Sequence, residues 1–274
     1  MEIDEEELGR ISAFFEARIQ EPDPQDHVRV ARARLEAVGE LIDSVKVIPG
    51  GRASAVDHCF EETFLPSDMV RTQLRLAQHY IGSACDGRTP ALTSFVVLRV
   101  AIECIATAHW LIADPSHRVR VERFLKRMWW DTQSAVDMAV VANANPDLSA
   151  VYDLEETIHE IAEPIKGLDP EKVTTSKRVA LSGIVREASR AVRPSYPTLM
   201  ESCWMACAGV SHGNVPISAG IGVGPHSVRN PSEHPISMSV YANFLEMAVT
   251  DLETTVAFFL RYATEEHQNQ RPMV

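Results

Sequence analysis

Residues 94–113, SFVVLRVAIECIATAHWLIA, constrain the fold more than any other part of the chain. Wound as a helix, this segment is apolar on every face, and a helix of that kind belongs at the centre of a bundle. Only Arg99, Glu103 and His109 interrupt it with side chains that carry charge. A buried charge costs several kcal/mol unless it is paired. Arg99 and Glu103 stand four residues apart, so each is the other's nearest partner. At 100° per residue Phe95, Arg99, Glu103, Ala106 and Trp110 fall on one face, and that face is expected to line an interior seam. The segment has near-spanning length, but a bilayer would penalise two charges at mid-helix. The expectation is therefore a cytoplasmic protein with no membrane association.

The rest of the sequence reads as helix after helix. Apolar residues recur at helical spacing over residues 3–20, 25–47, 67–85, 90–113, 115–143, 148–163, 171–192, 196–212 and 236–266. Pro22–Pro24, Pro49–Gly51, Asn145–Pro146 and Pro164–Pro170 supply the breaks. Ser67, Thr89-Pro90 and Asp114-Pro115 carry helix-start chemistry, and Thr198-x-x-Glu201 has the spacing of a capping box. Residues 213–235 hold four glycines and four prolines, which predicts one long loop before the last helix. No alternating pattern supports a sheet. The expected fold is an all-α multi-helix bundle, with residues 1–50 as an N-terminal helical hairpin extension and 51–274 as the main bundle.

Charge and cysteine content narrow the function. A net charge of −12 works against broad binding to nucleic acid or anionic membranes, both of which need a positive field. The five cysteines include no C-x-x-C pair, so they form no disulfide framework. Cys203 and Cys207, four apart on a predicted helix, read as packing residues. Glu156-x-x-His159 supplies half of a di-iron bundle signature, but no second such motif accompanies it on a convincing core helix. No metal and no cofactor is expected.

Two further constellations stand out. His117 to Arg127 (HRVRVERFLKR) is the only dense basic stretch, and Arg120, Arg123 and Arg127 share a face by spacing. With Trp129 and Trp130 following, these arginines are candidates for holding phosphate or RNA; the plainer reading is a solvated face whose tryptophans enter the core. Residues 196–214 (YPTLMESCWMACAGVSHGN) end a helix at Ser211-His212, with Gly213 as its stop. A histidine in a last turn is favoured by the helix dipole alone. The functional alternative places Tyr196, Ser211 and His212 at the mouth of a pocket that holds Arg99, Glu103 and Trp110.

The segments LRVAIECIATAHWLI…HRVRVERFL and SYPTLMESCWMACAGVSHG together resemble paired motifs of uncharacterised all-helical proteins common in actinobacteria. Those carry an R-x-x-x-E helix, a later Trp, an Arg-rich helix and a late Tyr…Ser…His-Gly. The match covers about a quarter of the chain and maps Arg99, Glu103, Trp110, Tyr196, Ser211 and His212. More distantly, the layout is similar to HEPN-type helical bundles, some of which are ribonuclease toxins. Their hallmark is Arg, four to six residues, then His on one helix. At that spacing before His212 this chain has Met205, Ala206 and Cys207, so an arginine would have to come from another helix, as Arg99.

The expected function is a binding or regulatory bundle with a polar interior pocket for a small molecule or protein partner, assembled as a homodimer. The alternative is an RNA-binding protein or ribonuclease of HEPN type.

Overall fold

The computed structural model describes residues 24–60, 64–86, 92–142, 148–213 and 238–265. The helix expected over 3–20, the Thr89-Pro90 start signal and residues 214–235 of the expected loop lie outside them. Among the described residues there are ten helices and no strand. They are α1 (Pro24–Ser44), α2 (Arg52–Asp57), α3 (Pro66–Cys85), α4 (Leu92–Ala113), α5 (His117–Val141), α6 (Ser149–Ala162), α7 (Pro170–Thr175), α8 (Leu181–Val192), α9 (Leu199–Ser211) and α10 (Met238–Thr264). The all-α fold read from the sequence is the fold observed.

The chain divides into two compact units. The first comprises Met1–Val45, Arg71–His109 and Leu181–Phe259. Its core is built from Leu35, Val38 and Ile42 of α1, Leu74 and Ile81 of α3, Phe95, Leu98 and Ile105 of α4, Val185 of α8, Met200 of α9 and Leu245, Leu252 and Phe259 of α10, all buried. Phe95 meets Tyr241 and Phe244 edge-on, the arrangement that sets a ring's positive edge against its neighbour's negative face. Two arginines tie α10 to its neighbours. Arg34 of α1 reaches Glu246 and Glu253, each at 2.6 Å, and Thr250 at 3.0 Å. Arg193 pairs with Asp251, whose side chain is wholly buried.

The second unit comprises Lys46–Val70, Trp110–Ala180 and Leu260–Val274. Val121, Phe124 and Leu125 of α5 pack with Val56, Ile158, Val173 and Tyr262, and Phe60 meets Phe124 edge-on at 6.4 Å. The α2 segment is held by backbone bonds from Ile48 N–H to Ala263 and from Arg52 N–H to Glu265, both 3.1 Å. Gly51 fits there because a Cβ would stand 3.0 Å from the Glu265 carbonyl oxygen. Thr93–Ala113 is long and apolar enough to cross a membrane, yet 72% of its most apolar window is buried in the protein, as a core helix requires.

Several helix ends differ from the sequence reading. Residues 171–192 form two helices instead of one. The hydroxyl of Thr175 donates to the Glu171 carbonyl at 2.6 Å, Ser176 turns extended, and 177–180 are exposed, so nothing holds the intervening turn helical. Ser67 lies inside α3 and does not cap it: the Asp57 carboxylate accepts from both its N–H (2.9 Å) and its hydroxyl (2.7 Å). Asp114 and Pro115 stay outside α5, with Asp114 Oδ1 accepting from Ser116 N–H at 2.8 Å. Thr198 makes no side-chain cap bond, and Glu201 binds Arg186 instead of closing a capping box. Gly213 ends α9 as expected, at φ +68°, where only glycine sits without cost.

Candidate functional site

Within the first unit, α4 and α9 bring four polar or aromatic side chains together. Arg99 Nε donates to Glu103 Oε1 at 2.9 Å. Trp204 Nε1 donates to the same oxygen at 2.9 Å. The Arg99 guanidinium lies over the Trp204 ring, 5.7 Å from its centroid, and its Nη1 is 3.4 Å from His212 Nε2. For Nε2 to accept that hydrogen, the His212 proton must sit on Nδ1. Two bonds therefore share one oxygen of Glu103, and among the described residues none is made to Oε2.

This arrangement corrects the expected interior seam. The side chains of Arg99 and Glu103 are 24% and 21% exposed, and His212 is exposed. The helix is apolar on its other faces, but at this one Arg99 and Glu103 remain partly open to water beside Trp204 and His212. Ser211 is half-buried, and its hydroxyl is spent on the Cys207 carbonyl one turn back, at 2.8 Å. Tyr196 is half-buried in the turn before α9, where its carbonyl accepts from Leu199 N–H. Trp110 belongs to the second unit. There it is buried, stacks on Trp130 at 6.3 Å and lies beneath Arg123, whose guanidinium is 4.8 Å from its centroid.

Arg120, Arg123 and Arg127 do not form a basic patch. Arg120 is wholly buried, with Nη1 donating to the carbonyls of Asp114 and Pro115 at 2.7 and 2.9 Å, and burial lowers its basicity. Arg123 donates to the Trp110 carbonyl and stands 3.8 Å from the Asp114 carboxylate. Arg127 pairs with Asp131 at 2.7 Å. The turn between α4 and α5 leaves carbonyl oxygens unpaired at a helix end, and the first two arginines satisfy them.

Cysteines offer little chemistry. Cys203 and Cys207 are buried, as packing residues are. Burial holds both thiols far from ionising, that of Cys207 pushed up to about 12. Cys59 lines a cleft of about 490 Å³ with His58, Phe60, Thr157, Glu160 and Ile161 among others. Its sulfur is 3.8 Å from His117 Nε2, but Ala55 O lies 3.0 Å from that nitrogen and 3.5 Å from the sulfur. Burial raises this thiol too, so the pair is not an activated nucleophile. Glu156 and His159 are exposed on α6, and among the described residues no three His, Cys, Asp or Glu side chains converge as a metal site.

Sequence reasoning found Arg99, Glu103 and His212 and missed Trp204. The available signal was its position two turns before His212, which puts both on the face of α9 that carries Ala208. No protein-family model, curated protein or solved structure matches the chain.

Proposed function

We propose that the chain is a binding or regulatory protein whose ligand site is the cluster of Arg99, Glu103, Trp204 and His212. The observation that carries this reading is the division of labour at Glu103. One carboxylate oxygen fixes Arg99 and the Trp204 indole, while the other makes no hydrogen bond among the described residues in a side chain that is 21% exposed. Such a cluster is held in position before any ligand arrives, which lowers the ordering cost of binding. It suits a small polar molecule that donates to the carboxylate and accepts from the imidazole or guanidinium. The test is a thermal-shift and tryptophan-fluorescence screen of α-amino acids and mononucleotides against wild type and Glu103→Gln. A compound that stabilises wild type and loses its effect in the variant is the expected result. No shift with either protein, or equal shifts with both, removes the reading.

A second reading rests on one distance. His212 and Arg99 come within 3.4 Å from different helices, which is how an arginine outside the expected spacing would reach the histidine of an HEPN-like ribonuclease. Metal-free RNA cleavage needs a proton-transfer group and a cation beside the charged phosphorus centre. Glu103 neutralises that cation, and a net charge of −12 repels the substrate. Labelled RNA should therefore stay intact. Cleavage that disappears in His212→Ala would replace the first reading with this one.

A further inference from the structure

The far end of the α5–α6 hairpin is apolar, exposed and acidic. The buried residues of α5 are Arg120, Val121, Phe124, Leu125 and Trp130. From Asp131 to Val141 none is buried, so about 16 Å of helix makes no core. That stretch is not a polar solvent face. Met138 is 70% exposed, Val140 58% and Val141 83%. After the connection, Leu148, just before α6, and Tyr152, four residues on in its first turn, are 43% and 65% exposed. Single exposed apolar residues are ordinary, but Met138 with Val141, and Leu148 with Tyr152, are pairs at helical spacing, and grouped exposed apolar side chains mark interaction sites.

The charge around it selects the partner. Between Arg127 and Lys166 the sequence holds eight carboxylates and no lysine or arginine. Asp137, Asp153, Glu155 and Glu156 are exposed, and none of them has an ion-pair partner among the described residues. We infer that this hairpin end docks a basic amphipathic protein segment, with the apolar side chains of the segment on Met138, Val141 and Tyr152 and its lysines or arginines on the carboxylates. A second copy of this chain would bring like charge against like, and an anionic lipid surface or nucleic acid would be repelled in the same way. Methionine and valine side chains on a short helical face accept an incoming helix without a preformed pocket.

The probe is a fluorescent Lys/Leu amphipathic peptide of about 18 residues, compared by anisotropy at physiological ionic strength with a Glu/Leu peptide of the same apolar pattern. The Lys/Leu peptide should bind and the Glu/Leu peptide should not. Met138→Ser with Val141→Ser should weaken binding about tenfold or more, as should Asp153→Asn with Glu156→Gln. Circular dichroism checks that both variants keep their helix content. Glu36→Gln with Glu40→Gln on α1 makes the same charge change away from the hairpin and should leave binding intact. Equal losses in that control would reduce the effect to bulk charge and overturn the inference. So would binding of the Glu/Leu peptide, or wild-type self-association at neutral pH that the Met138/Val141 variant abolishes.

Discussion

Glu103 holds two groups on one oxygen while remaining about one-fifth exposed, and both facts set the cost of losing it. A fully enclosed pair would cost about 3–5 kcal/mol to break. An accessible pair with one charge-assisted indole bond should cost about 1–2 kcal/mol, so Glu103→Ala should lower the urea midpoint modestly. A loss above that range would place the pair in a closed interior. Asp251 behaves differently. It is wholly buried against Arg193, its Oδ2 has no hydrogen bond, and burial pushes its carboxyl up from the ordinary 3.8 to about 6, against the pull of Arg193. Between those values the folded protein binds a proton that the unfolded chain does not. The stability contributed by Asp251 is therefore complete below pH 3.8 and lost as pH rises through about 6. In a melting series from pH 4 to 7, wild type should lose stability relative to Asp251→Asn across that window and hold a constant offset above it. Parallel curves would show that Asp251 titrates as an ordinary carboxylate.

At the scale of elements, one helix is capped from a distance. Asp57, the last residue of α2, accepts two hydrogen bonds from Ser67 in the first turn of α3. Asp57→Ala should cost about 1 kcal/mol, the usual worth of an N-cap, measured by chemical denaturation. Ser67→Ala should cost less, because the backbone N–H bond survives. This cap also marks the limit of what local sequence shows. Most of the helices follow from apolar periodicity and from prolines and glycines, which act on their own neighbours, but the short α2 and the split between α7 and α8 do not. Which carboxylate caps α3, or that Glu201 turns back to Arg186 and not to Thr198, depends on partners ten and fifteen residues away. The break at 176–180 was hidden for a related reason. Its residues fit a helix by composition, and only the Thr175 back-bond and the lack of buried side chains after Val173 stop it.

For the whole molecule, the candidate site was half legible. Arg99 and Glu103 declared themselves as charges in an apolar run, and His212 as the end of a helix. Trp204 did not, because its role is a bond across two helices a hundred residues apart in sequence. Trp110 misled, since it shares a helix face with Arg99 yet packs among the tryptophan and arginine side chains of the other unit. In the long last helix Tyr241, Leu245, Leu252, Val256 and Phe259 are spent on the core of the first unit. Among the described residues that leaves the Met138–Val141 and Tyr152 region as the prominent apolar surface. At neutral pH a net charge of −12 acts against contact between copies through this acidic surface. That repulsion vanishes near the isoelectric point, about 5.3. Light scattering followed from pH 8 to pH 4.5 should therefore rise sharply near pH 5.3 in wild type. Met138→Glu with Val141→Glu should blunt that rise beyond the small shift in isoelectric point, because it removes the contact as well as adding charge. A rise of equal height in the variant, merely displaced in pH, would show that association near the isoelectric point runs through some other surface.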